Sequence, residues 1–176
     1  AAINHLEFIA AADPKAQMVP DVYFLLADAY QATDKQPRAI ASLETAISLN
    51  PKNVEAYARL ADLYAKNNMS EKAKKTLEKM MSLSPNDPNV YLSLGQYNIK
   101  AQKYSEAFTQ FEKCYTLKKN GVAAEGMAIA AFNLKRNDAA RDAAETAVSL
   151  DPKAWQAREI LATILLQGNA YKDALP

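Results

Sequence analysis

Two side chains in this 176-residue sequence could act as nucleophile or general base near neutral pH, His5 and Cys114, and each residue type occurs once. A thiol–imidazole pair works only if the two meet, because the imidazole must take the thiol proton. Here they stand far apart in the chain. Cys114 also lies at a small-residue position of an apolar run, where cysteine serves as a small buried hydrophobe. No Cys/His group has the spacing of metal ligands, and no glycine-rich loop is built to hold a phosphate. Carboxylates are plentiful, but Glu71, Glu78, Glu106, Glu112 and Glu145 fall where a helix would face water. The expectation is therefore no catalytic residue, no cofactor, no metal and no enzymatic activity.

Charge adds little. The run Lys72, Lys74, Lys75, Lys79 is interleaved with Glu71 and Glu78, the pattern of a solvated helix face laced with i,i+4 pairs. A net charge of +1 gives no bulk attraction to nucleic acid or anionic lipid. The longest apolar stretches, such as 160–166, are too short to span a bilayer.

What organises the chain is repetition. Pro51 recurs as Pro85, 34 residues on, and a weaker echo ends at Pro152. Behind Pro51 stand Tyr23, Leu26, Ala27, Tyr30, Ala39, Leu43 and Ala46; behind Pro85 stand Tyr57, Leu60, Ala61, Tyr64, Ala73, Leu77 and Met80. A third copy has Tyr91, Leu94, Gly95, Ala107, Phe111 and Cys114. A period of this length predicts stacked supersecondary units. Within each unit the apolar residues fall at helical spacing, and Pro37 suits the first turn of a second helix. Polar turns at Thr33-Asp34-Lys35, Asn67-Asn68 and Gln102-Lys103 separate the two runs. Small residues at 27, 61 and 95 and at 39, 73 and 107 allow close backbone approach. Each unit is thus two antiparallel helices, and one hairpin cannot bury its apolar faces alone. At 49% apolar residues the chain has enough for a sizeable core spread along an axis.

These residues resemble the tetratricopeptide repeat, whose motif runs large-x2-Leu-Gly/Ala-x2-Tyr, then Ala-x3-Phe-x2-Ala, then Pro. The resemblance implies an all-α fold, a right-handed α-α superhelix (solenoid) of antiparallel helix hairpins, over 1–176 as a single array. Units 20–53 and 54–87 match nearly throughout; 88–120 matches with Lys119 in place of the proline; 121–154 is degenerate and one step out of phase. Residues 1–16 read as the second helix of a truncated repeat, through Ala2, Leu6, Ile9 and Pro14, with Gln17-Met18-Val19 inserted after it. Residues 155–176 read as a first helix, a turn at Gly168-Asn169 and the start of a second helix at Tyr171, Ala174 and Leu175. The chain reads as part of a longer array.

In this family the first helices line a concave groove, which implies a protein–protein interaction scaffold that takes a peptide or a partner helix. Carried over, the lining is Asp21, Phe24, Asp28 and Gln31; then Glu55, Ala58, Asp62, Ala65 and Lys66 with Arg59 alongside. Next come Asn89, Leu92, Gln96, Ile99 and Lys100, then Val122, Glu125, Ile129, Phe132 and Asn133, and last Gln156, Glu159, Thr163 and Leu166. The groove so read is acidic over the first units and more apolar near Ile129 and Phe132, although Leu92, Ile99, Ile129 and Phe132 could equally pack against neighbouring helices. The pattern by which some members clamp acidic chaperone tails is missing: Phe24, Asp28 and Ser93 stand where it needs Lys, Asn and Arg, and Asp28 and Asp62 would repel such a tail. The alternative of an RNA-binding helical repeat of pentatricopeptide type fits the period and the charge less well. A passive spacer within a larger protein is a third reading. The face Ile160, Leu161, Ile164, Leu165, Leu166 carries more apolar surface than one neighbour can cover, so end-to-end self-association through 155–167 is expected.

Overall fold

The computed structural model describes residues 2–12 and 19–173, with side chains over 3–12 and 21–168. Among them are ten helices and no strand: α1 Ala2–Ala12, α2 Val19–Ala32, α3 Gln36–Leu49, α4 Val54–Lys66, α5 Ser70–Leu83, α6 Pro88–Lys100, α7 Tyr104–Leu117, α8 Gly121–Asn133, α9 Asn137–Leu150 and α10 Trp155–Asp173. The fold class is the all-α helical repeat expected. The chain divides into two compact units, Ala1–Pro85 and Asn86–Pro176, a division at the edge of a repeat. Pro14, Gln17, Met18, Ala174, Leu175 and the Tyr171 side chain lie outside the described residues.

Every hairpin turn uses one device. At the end of α2, Asp34 has a positive φ, its N–H donates to the Gln31 carbonyl, and the Lys35 N–H donates back to the Tyr30 carbonyl at 2.8 Å. This is the Schellman termination, which satisfies carbonyls that the helix end would orphan. Asn68, Gln102 and Lys135 repeat it, with N–H donation from Met69 to Tyr64, Lys103 to Asn98 and Arg136 to Ala131. Asparagine and aspartate tolerate the left-handed region; glutamine and lysine are poorer there. The hairpin therefore imposes the turn where local preference does not supply it.

Three first helices, α4, α6 and α8, are capped locally. The side chains of Asn53, Asp87 and Asn120 accept from the backbone N–H of Ala56, Asn89 and Ala123, the usual stabilisation of a helix start. Between α7 and α8 the connection is Lys118-Lys119-Asn120, one residue shorter than Asn50–Asn53 between α3 and α4. The missing closing proline and the shifted fourth repeat have this single cause.

In the first unit the core between α2 and α3 is Leu26, Ala27 and Tyr30 on Ala39, Leu43 and Ala46, all buried. In the second unit Phe111 is the centre. A Cβ added to Gly95 would lie 2.7 Å from its ring, and one added to Gly126 would lie 2.6 Å from it. The ring is thus wedged between α6 and α8, and both glycines are there to admit it.

One expectation fails. The helix α10 runs without a break through Gly168 and Asn169, where a turn was expected. The other turns close on a second helix packed against the first; among the described residues none packs there, and continuing the helix keeps the backbone groups paired internally.

Candidate partner-binding surfaces

In the first unit three residues of the expected lining of α2 and α4, Phe24, Asp28 and Glu55, meet at Arg59. Its guanidinium donates to both carboxylate oxygens of Asp28 at 3.1 Å and to Glu55 at 3.0 and 2.8 Å. It also lies 5.2 Å from the centre of the Phe24 ring, within cation–π range. Burial works to lower the Arg59 pKa, but the hydrogen bonds to Glu55 and Asp28 outweigh it and raise the value. One turn on, Lys66 pairs with Asp62 at 2.6 Å. Sequence reasoning grouped Arg59 and Lys66 with the groove as cations; the structure shows both engaged by carboxylates of the same face. Gln31 is half-buried on α2. This surface carries Asp21, Asp28, Glu55 and Asp62 against Arg59 and Lys66, a surplus of two negative charges.

In the second unit the expected apolar positions are half-buried rather than bare. Leu92 and Ile99 pack on Ala107, Phe111 and Ala130, while Ile129 and Phe132 pack on the alanine-rich core of α8, α9 and α10. Lys135 sits 5.9 Å from the centre of the Phe132 ring. Gln96 is exposed on α6, and half of Val122 is exposed on α8. Glu125, another expected lining residue, has a structural role instead. Its carboxylate accepts from the backbone N–H of Gln156 at 3.1 Å and Ala157 at 3.2 Å. It caps α10 from a distance, because Ala154 at the cap position offers no acceptor.

Two clefts were not foreseen. One, of about 530 Å³, lies between α1, α2 and α3, floored by Tyr23, Leu26 and Tyr30 and rimmed by Glu7, Arg38 and Thr45. The other, of about 240 Å³, lies between α7, α8 and α9, with Met127 and Thr146 at the positions of Leu26 and Thr45. The only signal for them was the run of small residues on the second helices, Ala41-Ser42 and Ala139 with Ala143. Beside the first cleft the Tyr30 hydroxyl donates to Glu7, as the Tyr64 hydroxyl donates to Glu44 at 2.6 Å. Arg38 lies over Tyr30 and Lys72 over Tyr64. Glu7 therefore occupies on α1 the place of Glu44 on α3.

The two side chains with nucleophile or base chemistry stay apart from these surfaces. His5 is exposed on α1. Cys114 is buried, and burial pushes its thiol pKa up against the opposing pull of the Asn120 amide, 3.6 Å from Sγ. Among the described residues no group of three His, Cys, Asp or Glu is placed to hold a metal ion, and no helix is long and apolar enough to cross a membrane.

Family profiles described as tetratricopeptide repeat match residues 34–97, 88–120 and 126–176. By sequence the chain matches none of the curated proteins. Among solved structures it is similar to yeast Tom70, with a TM-score of 0.79 at 19% identity over 98% of this chain and 37% of that one. It is also similar to PilF of Pseudomonas aeruginosa, with a TM-score of 0.77 at 18% identity over 86% of this chain and 70% of that one. A thermophilic TPR protein of Thermus thermophilus gives 0.74 at 18% identity over 94% of this chain and 89% of that one. At such identities the likeness is one of fold. The chain spans little more than a third of Tom70.

Proposed function

This chain is a tetratricopeptide-repeat protein, a fold whose general role is that of a protein–protein interaction scaffold, and on that footing we propose that its first-helix faces bind an extended peptide or a partner helix. The observation that carries the reading is the acid-rich surface of α2 and α4. Arg59 is locked between Asp28 and Glu55 and stacked on Phe24, so the face is ordered before a partner arrives, which lowers the entropic cost of binding. Its cations are already paired, and its surplus is negative. Such a face suits a segment with basic residues beside apolar anchors, and it disfavours the acidic tails that clamp-bearing relatives take. Within the second unit, Leu92, Gln96, Ile99, Ile129 and Phe132 offer a more apolar recognition surface, with the half-buried side chains forming its floor.

Selection of displayed peptides against the chain at physiological ionic strength tests this. The parent should enrich peptides combining Lys or Arg with large apolar residues. The Asp62→Lys variant, checked by circular dichroism for retained helicity, should lose the basic preference, and Gln96→Lys with Ile129→Lys should lose the apolar one. A selection indifferent to these changes would move recognition off the first-helix faces.

A further inference from the structure

The second helices carry a glutamate at one recurring place: Glu7, Glu44, Glu78, Glu112 and Glu145. In the first unit two of these belong to a three-part grouping. Glu7 accepts from the Tyr30 hydroxyl and Arg38 lies over that ring; Glu44 accepts from the Tyr64 hydroxyl and Lys72 lies over that one. Arg59 forms the same grouping elsewhere, with its guanidinium on the Phe24 ring and the carboxylates of Asp28 and Glu55 holding it. Ring, carboxylate and cation come together three times, and each time the chain itself supplies all three.

The cleft between α7, α8 and α9 has the rings and the carboxylate without the cation. It aligns with the cleft between α1, α2 and α3: Met127 matches Leu26, Ala139 matches Arg38, Asp142 matches Ala41 and Thr146 matches Thr45. On one wall, therefore, the cation is lost and a carboxylate gained. The rings move from the floor, where Tyr23 and Tyr30 stand in the first cleft, to the opposite wall, where Phe108 and Tyr115 stand half-buried. Glu112 lies between those two in α7, one turn from each and so on the same helical face. Among the described residues no cation lines the cleft, and neither Asp142 nor Glu112 takes part in an ion pair. The neighbouring Arg141 is engaged by Asp138 at 3.9 Å.

We infer that this cleft takes an arginine side chain presented by a partner protein, which supplies the absent cation. A guanidinium is weakly hydrated and stacks on aromatic faces, whereas the compact ammonium of lysine holds its water more strongly. Phe108 and Tyr115 offer the rings, Asp142 the opposing charge, and Met127 with Ala143 an apolar bed for the methylene stem. The cleft, of about 240 Å³, is large enough, since a cavity of roughly 150 Å³ holds a benzene ring. The site opens between second helices and shares no residue with the first-helix surfaces proposed above to bind a peptide, so either reading can fail without the other.

NMR titration of the whole chain, read at the Met127 methyl resonance, tests this, with circular dichroism confirming the helicity of each variant. Nα-acetylarginine amide should shift that resonance saturably in the millimolar range. Its uncharged isostere Nα-acetylcitrulline amide should leave the resonance in place, and Nα-acetyllysine amide should bind more weakly than the arginine probe. Asp142→Asn should weaken the arginine probe about two- to fivefold, the worth of a partly exposed ion pair. Ala139→Arg should abolish the shift, because the chain then carries its own cation there, as it does at Arg38. Asp62→Lys, on the first-helix face, should leave the shift unchanged. A parent that does not respond to the arginine probe overturns the inference. So does citrulline binding as well as arginine, which would make the cleft a plain apolar slot, or lysine binding as well. Asp142→Asn or Ala139→Arg binding the arginine probe as the parent does would overturn it too.

Discussion

The hairpins α4–α5 and α8–α9 have the same backbone and nearly opposite side chains. Both pair a 13-residue helix with a 14-residue one, and both turn through a Schellman termination, at Asn68 and Lys135. The first hairpin buries Tyr57, Leu60, Leu63, Tyr64, Leu77 and Met80; the second buries nothing larger than alanine. A fully buried leucine contributes roughly 1.5–3 kcal/mol, and alanine far less. What fills the second hairpin comes from outside it. The α8 helix packs on α6, α7, α9 and α10, and Phe108, Phe111, Tyr115, Ile160 and Ile164 of those neighbours bring the large surfaces. One hairpin therefore supplies the bulk of its own core, while the other is a slot shaped for the bulk of its neighbours.

That difference predicts opposite sensitivities. Leu77, 2% exposed, should not tolerate shortening: Leu77→Ala should cost about 2–5 kcal/mol through lost transfer energy and the cavity left behind. Ala144, fully buried in α9, should not tolerate growth: Ala144→Leu should cost about 1–3 kcal/mol as overpacking forces side chains off their rotamers. Urea midpoints followed by circular dichroism read both. A neutral Ala144→Leu would mean that the second hairpin is loosely packed and the comparison misdrawn.

A finer test lies at Gly126. In an exposed helix Gly→Ala gains up to about 1 kcal/mol from propensity. Here the new methyl meets the Phe111 ring, which Gly95 confines on its other side, so the packing cost of about 1–3 kcal/mol should win and Gly126→Ala should destabilise. Against Phe111→Leu the same change should become neutral or stabilising. Additive effects in the double variant would separate the two residues energetically and leave the glycine unexplained.

How much of this could be read from the sequence follows from the range of each interaction. The hairpins were legible because the residues that define them recur along the chain: Pro51 and Pro85, Tyr30 and Tyr64, Ala39, Ala73 and Ala107. The state of Arg59 was not, because its partner Asp28 lies 31 residues away and only the stacking of hairpins decides that the two meet. Nor was Glu125 as a cap, since nothing near Ala154 signals that the first turn of α10 takes its acceptor from α8. The turn expected at Gly168-Asn169 failed for a related reason. Its residue types were right, but a turn of this kind is imposed by a packed second helix, as Gln102 and Lys135 show by adopting it against their own preference.

The smallest expected effect separates the two units by alkaline pH. Burial, then the hydrogen bond and charge of Glu44, raise the Tyr64 pKa to about 12; Tyr30 is raised chiefly through its bond to Glu7, then by burial. The second unit has Asn98 and Ala131 at this position, neither of which titrates. An unfolded phenol loses its proton near pH 10.0, so between about pH 10 and 12 the folded state binds more protons than the unfolded one. The contribution is complete below pH 10 and is lost as pH rises through that window. At neutral pH Tyr64→Phe should cost only about 0.5–1.5 kcal/mol, the usual worth of one hydrogen bond, but it should flatten the fall in the urea midpoint between pH 10 and 11.5. Asn98→Phe, at the matching place in the second unit, should leave that fall as steep as in the parent. If Tyr64→Phe keeps the full alkaline slope, the tyrosine–glutamate bond is a contact without energetic weight, and the two units differ in packing alone.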